Sequence, residues 1–225
     1  MKKLVFGFIA TVILTLNSFG QTKGAEHNLY MDYIYEYFKI KSAADPSFLY
    51  DKEKVATALH IKSIEFFSNS GFINDKNKLE ENVASAILEA FGEDNFDLTK
   101  YNYSAKEQQF IKSILSVLDK DLTLSQAIIE FNSIDVNAKR ELSSKEYKVV
   151  HSVIDIALHS SEYAYNNIDK WKNLSNNEET QNNKIDWGAV VKADIKGFLI
   201  GIFKGEPLSS SAVYSAVELI IQIFF

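Results

Sequence analysis

Residues 187–225 read WGAVVKADIKGFLIGIFKGEPLSSSAVYSAVELIIQIFF, a predominantly apolar segment. Two helices are predicted here, from Asp186 to about Lys204 and from about Ser210 to Phe225, with a Gly-Glu-Pro connection between them. Gly197 and Gly201 repeat at the helical interval of four, which leaves one side of the first helix smooth for a close neighbour. The pattern predicts a tightly packed helical hairpin.

The charges in this segment decide between a membrane and a protein core. Lys192, Asp194 and Lys196 interrupt the first helix and Glu218 the second, so neither offers about twenty uninterrupted apolar residues for a membrane span. The alternative is a hairpin buried in a water-soluble bundle, where amphipathic helices cover it. We favour burial, and we expect Asp194 to bond a serine or a backbone amide of an adjacent helix, because buried carboxylates require partners.

Six amphipathic helices are predicted before the hairpin, and nothing resembles a strand pattern. The first runs from Asn28 to about Lys41, with Asn28 as its cap. Three of the later helices begin with a capping box, in which a hydroxyl and a Glu or Gln satisfy each other's backbone donors. These boxes pair Ser104 with Glu107, Thr123 with Gln126, and Ser143 with Glu146. Residues 173–184, NLSNNEETQNNK, are expected to form a mobile polar loop. We therefore predict an all-α, single-domain helical bundle over residues 21–225.

The first twenty residues are typical of a secretory signal peptide. Lys2 and Lys3 precede the apolar run at 4–16, and Ser18 and Gly20 stand at −3 and −1 of a cleavage site after Gly20. The chain has no cysteine, so its stability must come from packing rather than disulfides. We expect export, to the periplasm or the exterior of a bacterium.

Charge and motif content exclude several function classes. The formal net charge is −6, and it becomes −8 without Lys2 and Lys3, which argues against nucleic acid as a partner. Neither G-x-x-x-x-G-K-[ST] nor G-x-G-x-x-G is present, and we predict no cofactor.

One helix face carries His151, Asp155 and His159 at intervals of four. It could form half of a metal site, but no HExxH-type pattern accompanies it, and a polar helix edge is the simpler interpretation. Ser160 and Ser161 follow directly and lie in no nucleophile motif. Serines inside a helix more often let a neighbouring helix approach, so we predict no catalytic residue and no metal ligand.

Three segments resemble a family of exported bacterial proteins with no assigned function. Residues 24–34, GAEHNLYMDYI, resemble the family's opening G-x-x-H-N-x-x-L-D-Y-[IV]. Residues 160–165, SSEYAY, are similar to its S-S-x-x-Y-W, with Ala164 inserted and Tyr165 in place of tryptophan. The segment from Trp187 to Gly201 is similar to the tail A-D-x-x-G-x-x-x-G, with bulkier residues as filler. The resemblance implies an exported, mainly helical domain and no transferable catalytic residues.

The first of these segments supplies the candidate binding residues His27, Asn28, Asp32 and Tyr33. Together they could form a polar cluster that receives a small ligand or a peptide end. The alternative is that Asn28 caps the helix, Asp32 complements its dipole and His27 merely precedes them. Asp194, Gly197 and Gly201 are the candidate structural motif.

The expected function is a non-enzymatic interaction with an unknown protein or cell-envelope component. Aromatic residues near the mature start could provide a contact surface if exposed: Tyr30, Tyr33, Tyr35, Tyr37 and Phe38. The first alternative is a toxin- or bacteriocin-like protein that inserts its hairpin into a membrane. The second is a metal-dependent hydrolase that uses the face with His151.

Overall fold

The computed structural model describes residues 23–69, 75–92, 96–175 and 185–225. The predicted signal peptide lies outside these residues. Over the described ranges the chain forms α-helices and two short 3-10 helices, Phe48–Tyr50 and Leu98–Lys100, and the predicted all-α bundle is confirmed. The α-helices are α1 (Lys23–Ala44), α2 (Lys52–Asn69), α3 (Lys76–Phe91), α4 (Ala105–Val117), α5 (Leu124–Glu141), α6 (Ser144–Lys172), α7 (Trp187–Lys204) and α8 (Pro207–Phe224).

The helix starts follow from local side-chain chemistry. All three capping boxes form, at the starts of α4, α5 and α6. Asp75 and Asp186 cap α3 and α7 by accepting a hydrogen bond from a backbone amide in the first turn. The predicted cap at Asn28 is wrong, because α1 begins five residues earlier, at Lys23. The Asn28 amide instead donates to the carbonyl of His159 on α6, 3.2 Å away.

The hairpin of α7 and α8 is confirmed, and two glycines explain how closely its helices pack. A Cβ at Gly197 would lie 2.6 Å from the carbonyl oxygen of Ser210, and one at Gly201 would lie 2.7 Å from that of Glu206. Such distances exclude any side chain at these positions, as the interval of four predicts. Gly205 ends α7 with φ of 82°, a backbone conformation that glycine adopts without strain.

Two apolar clusters lie on either side of α7. The first joins α1, α2, α3 and α8, and the second joins α4, α5, the first half of α6 and one face of α7. That face of α7 carries Val191, Ile195, Phe198 and Leu199. The expectation that all six helices shield the hairpin is wrong for α5, which packs mainly against α4 and α6.

Two further sequence expectations need correction. The helix before the loop predicted from residue 173 ends at Lys172, but the first loop residues are not exposed as expected: Leu174 and Ser175 are buried, and the Ser175 hydroxyl lies 2.7 Å from that of Tyr50. Residues 176–184 lie outside the described ranges. The aromatic residues at positions 30–38 form no contact surface, since Tyr30, Tyr35 and Phe38 are buried in the first apolar cluster and Tyr33 and Tyr37 are partly buried against it.

Candidate functional site

A buried polar cluster joins four helices at the centre of the molecule. It consists of His27 on α1, Ser160 on α6, Asp194 on α7 and Ser211 on α8. His27 Nε2 lies 3.0 Å from Asp194 Oδ2, and the two side chains are 1% and 0% exposed. The hydroxyl groups of Ser160 and Ser211 donate to the two carboxylate oxygens of Asp194. Asp194 is thus buried and bonded to serines of adjacent helices, as its apolar surroundings predict.

Both ring nitrogens of His27 face oxygen acceptors. Nδ1 lies 3.0 Å from Oδ1 of Asn28, whose amide group is oriented by its bond to the carbonyl of His159. Nε2 lies beside Asp194, in an electrostatic contact whose N–H direction is not aligned for a hydrogen bond. Burial alone would lower the pKa of His27, but the negative charge of Asp194 beside Nε2 and the hydrogen bond to Asn28 raise it overall. The geometry therefore favours the charged imidazolium.

This cluster is not arranged for nucleophilic catalysis. A catalytic serine must hydrogen-bond to the imidazole that takes its proton, whereas Ser160 and Ser211 both bond to the carboxylate of Asp194. All four side chains are buried, so a substrate has no route to them through this structure. The cluster joins four helices through buried polar contacts.

Asp32 belongs to a second network, at the partly exposed edge between α1 and α6. Its Oδ1 accepts hydrogen bonds from the hydroxyl of Tyr163 at 3.1 Å and the ammonium of Lys170 at 2.7 Å. The Lys170 ammonium also lies 4.1 Å from the ring centroid of Tyr35, and Trp171 Nε1 donates to the Tyr163 hydroxyl. Asp32 therefore fastens two helices together, and it does not share a ligand site with His27.

Tyr33 points away from both networks, toward α2. Its ring centroid lies 5.3 Å from that of Phe66. Burial and the nearby charge of Glu65 raise the pKa of the Tyr33 hydroxyl. The four candidate binding residues thus separate into three environments, and they form no common pocket.

The residues of the predicted metal face also have separate partners. His151 Nδ1 lies 2.8 Å from Asp135 on α5, while Asp155 accepts a hydrogen bond from the Gly24 amide at 3.1 Å. His159 Nε2 lies 3.6 Å from Asp155. Among residues 23–69, 75–92, 96–175 and 185–225, no group of three or more His, Asp or Glu side chains is arranged to hold a metal ion. The geometry gives the hydrolase alternative no support.

An open groove lies between the ends of α3 and α4 and the hairpin. Its volume is about 680 Å³, within the usual range for small-molecule and peptide sites. Its lining combines small and apolar residues with charged and aromatic side chains. The lining residues are Ala90, Gly92, Phe96, Leu115, Asp119, Ala189, Lys192, Ala193, Lys196, Tyr214 and Glu218.

The groove presents charges of both signs. Lys192 pairs with Asp119, and the ammonium of Lys196 lies 5.2 Å from the ring centroid of Tyr214. The Tyr214 hydroxyl donates to Glu89 at 2.6 Å. Burial alone would raise the pKa of Glu89, but hydrogen bonds from Lys204, Ser85 and Tyr214 hold it below its usual value.

Sequence reasoning missed this groove as a site. Its residues come from four separate parts of the chain, and no local sequence motif joins them. The available signal was the presence of Lys192 and Lys196 on an otherwise apolar helix. Those lysines predicted only that the helix does not cross a membrane.

The three segments of the family resemblance meet in the buried polar cluster. His27 comes from the first, Ser160 from the second and Asp194 from the third.

No family model, curated protein or solved structure matches the chain. Among the described residues, α8 is the helix long and apolar enough to cross a membrane, and 72% of that stretch is buried inside the fold.

Proposed function

We propose that this chain is an exported, non-enzymatic interaction protein that binds a polypeptide segment in the groove between α3, α4 and the hairpin. One contrast supports the proposal. The His27–Asp194 pair is buried inside the fold, whereas the groove is open and lined by charged and aromatic side chains.

The chemistry of the groove favours a polypeptide over a single charged metabolite. Two lysines and two carboxylates line it, so its formal charges balance and it selects neither an anion nor a cation. Tyr214 and Phe96 provide aromatic surface, which is enriched at protein interfaces. A segment with side chains of both signs would complement Lys196 and Glu218 at once.

The predicted export of the chain and its resemblance to exported bacterial proteins favour an envelope or extracellular partner. The pattern at residues 1–20 is typical of a signal peptide, which would direct the chain out of the cytoplasm. The strong negative charge makes a nucleic-acid partner unfavourable.

Site-specific photocrosslinking in cells that express the full sequence tests this proposal. A photoreactive amino acid at Ala193, in the groove, is expected to capture one discrete polypeptide. The copy of this protein in the adduct is expected to begin at Gln21, the residue after the predicted cleavage site. The same probe at Ile129, which is 67% exposed on α5, is the control and should capture none. Lys196→Glu should abolish the adduct, whereas Lys148→Glu, on the exposed face of α6, should leave it intact. Equal adducts from Ala193 and Ile129, or none from Ala193, would contradict the proposal.

A second candidate function is membrane insertion of the hairpin, which the length and composition of α8 favour. It would require Asp194 to leave its partners and enter lipid, at a large cost. Leakage of dye from liposomes exposed to the mature chain would support it. Absence of leakage from mildly acidic to neutral pH would remove it.

A further inference from the structure

We propose that His27 is a proton-dependent clamp, which fastens α1 to the α7–α8 hairpin as an imidazolium and loosens that contact when it loses its proton. The proposal is independent of the groove and of any partner. It concerns the buried polar cluster, whose bonds join helices from the two ends of the described chain.

The geometry of His27 is the first support. A neutral imidazole has one N–H donor and one bare nitrogen, so it can satisfy only one acceptor. Here Nδ1 faces Asn28 Oδ1 and Nε2 faces Asp194 Oδ2, both at 3.0 Å. Only the doubly protonated ring leaves no bare nitrogen against an acceptor oxygen and places a positive charge beside the Asp194 carboxylate.

The surroundings of Asp194 are the second support. Its carboxylate is 0% exposed, and besides His27 it contacts the neutral hydroxyls of Ser160 and Ser211. Removal of the proton from His27 would leave a buried anion held by hydroxyl groups without a counter-ion. Such a state is costly in a protein interior.

The other titratable groups near the cluster lie further along the packed helices. On α1 and α2 these groups are Glu26 and Glu65, the latter against Tyr33. On α6 they are Asp155, His159 and Tyr163. The hairpin presents the cluster members themselves, Asp194 on α7 and the hydroxyl of Ser211 on α8. Of these, Asp194 is the one whose charge acts on His27 in direct contact.

The direction of the pH effect follows from linkage. The pKa of His27 is raised above its ordinary value of 6.5 in the folded chain. The stabilisation is therefore complete below pH 6.5, and it is lost as pH rises through the folded-state pKa. The clamp is closed in mildly acidic surroundings and weakens in alkaline ones.

Thermal unfolding of the mature chain between about pH 6 and pH 9 tests this, with His27→Gln as the variant. For the wild type we expect Tm to fall across this range by roughly 3–5 °C for each unit by which folding raises the pKa of His27. His27→Gln should lose this dependence. His151→Gln removes a histidine whose Asp135 pair is half-exposed and should retain it. A variant of His27 with the wild-type pH dependence would overturn the proposal.

A measurement on the unaltered chain covers the case in which His27→Gln does not fold. Nitrogen-15 NMR of the imidazole rings should show both nitrogens of His27 protonated at about pH 6.5, with a titration midpoint above that of an ordinary histidine. Amide exchange in α1 and α8, corrected for its intrinsic pH dependence, should accelerate above that midpoint, and exchange in α5 should not. A neutral His27 at about pH 6.5 would overturn the proposal.

Discussion

Asp194→Ala is expected to destabilise the fold by roughly 3–5 kcal/mol, the usual cost of removing one partner from a buried ion pair. The substitution leaves the charge of His27 without a counter-ion and the hydroxyls of Ser160 and Ser211 without their acceptor. Urea unfolding followed by circular dichroism measures the loss. In a domain of ordinary stability, a loss of this size is a large part of the total free energy of unfolding.

Asp119→Ala is the matched control, since it breaks a surface ion pair of the same helix: the partner of Asp119, Lys192, lies on α7. Asp119 is 65% exposed and pairs with Lys192, so we expect a change of no more than about 1 kcal/mol. Replacing both members of the buried pair, as in His27→Leu with Asp194→Leu, should recover most of the stability lost in Asp194→Ala, because no charge is then stranded. Equal losses from Asp194→Ala and Asp119→Ala would contradict the role assigned to the buried pair.

Gly197→Val is expected to have a comparable effect by a different mechanism. Its Cβ would lie 2.6 Å from the carbonyl oxygen of Ser210 and 2.9 Å from the Cα of Ser211. These are backbone atoms, so they cannot move without separating α7 from α8. Overpacking of a close contact typically costs about 1–3 kcal/mol, and we expect the upper end of this range or more, because backbone obstructs the new side chain.

Ala189→Val adds the same branched side chain to α7 at a half-buried position in the groove and serves as its control. There we expect only the difference in helix propensity, about 0.5 kcal/mol. Thermal melts of both variants, with near-ultraviolet circular dichroism as a report on tertiary packing, make the comparison. A wild-type melt for Gly197→Val would mean that the hairpin does not pack as described.

Features that depend on neighbouring residues could be predicted from the sequence. Each capping box is complete within four residues, so Ser104, Thr123 and Ser143 identified three helix starts. The interval of four between Gly197 and Gly201 similarly predicted where α8 approaches α7. A carboxylate among apolar residues predicted that Asp194 would be buried and bonded to a serine or a backbone amide, and the structure shows two serines.

Features that depend on distant residues could not be predicted. Nothing local to Asp194 indicates that its charged partner is His27, because that contact exists only when α1 docks against the hairpin. The error at Asn28 has the same origin, since a side chain typical of a helix cap was engaged by a carbonyl of α6. The groove, too, arises only where the ends of α3 and α4 meet α7 and α8.

The most direct test of the fold described above is the unfolding of a chain that ends at Asp186 and so lacks α7 and α8. Both apolar clusters draw residues from this hairpin, and the buried polar cluster loses Asp194 and Ser211 with it. We therefore expect the shortened chain to show no cooperative thermal transition and to lose its near-ultraviolet circular dichroism. A cooperative melt at the temperature of the full chain would contradict the hairpin's place at the centre of the fold.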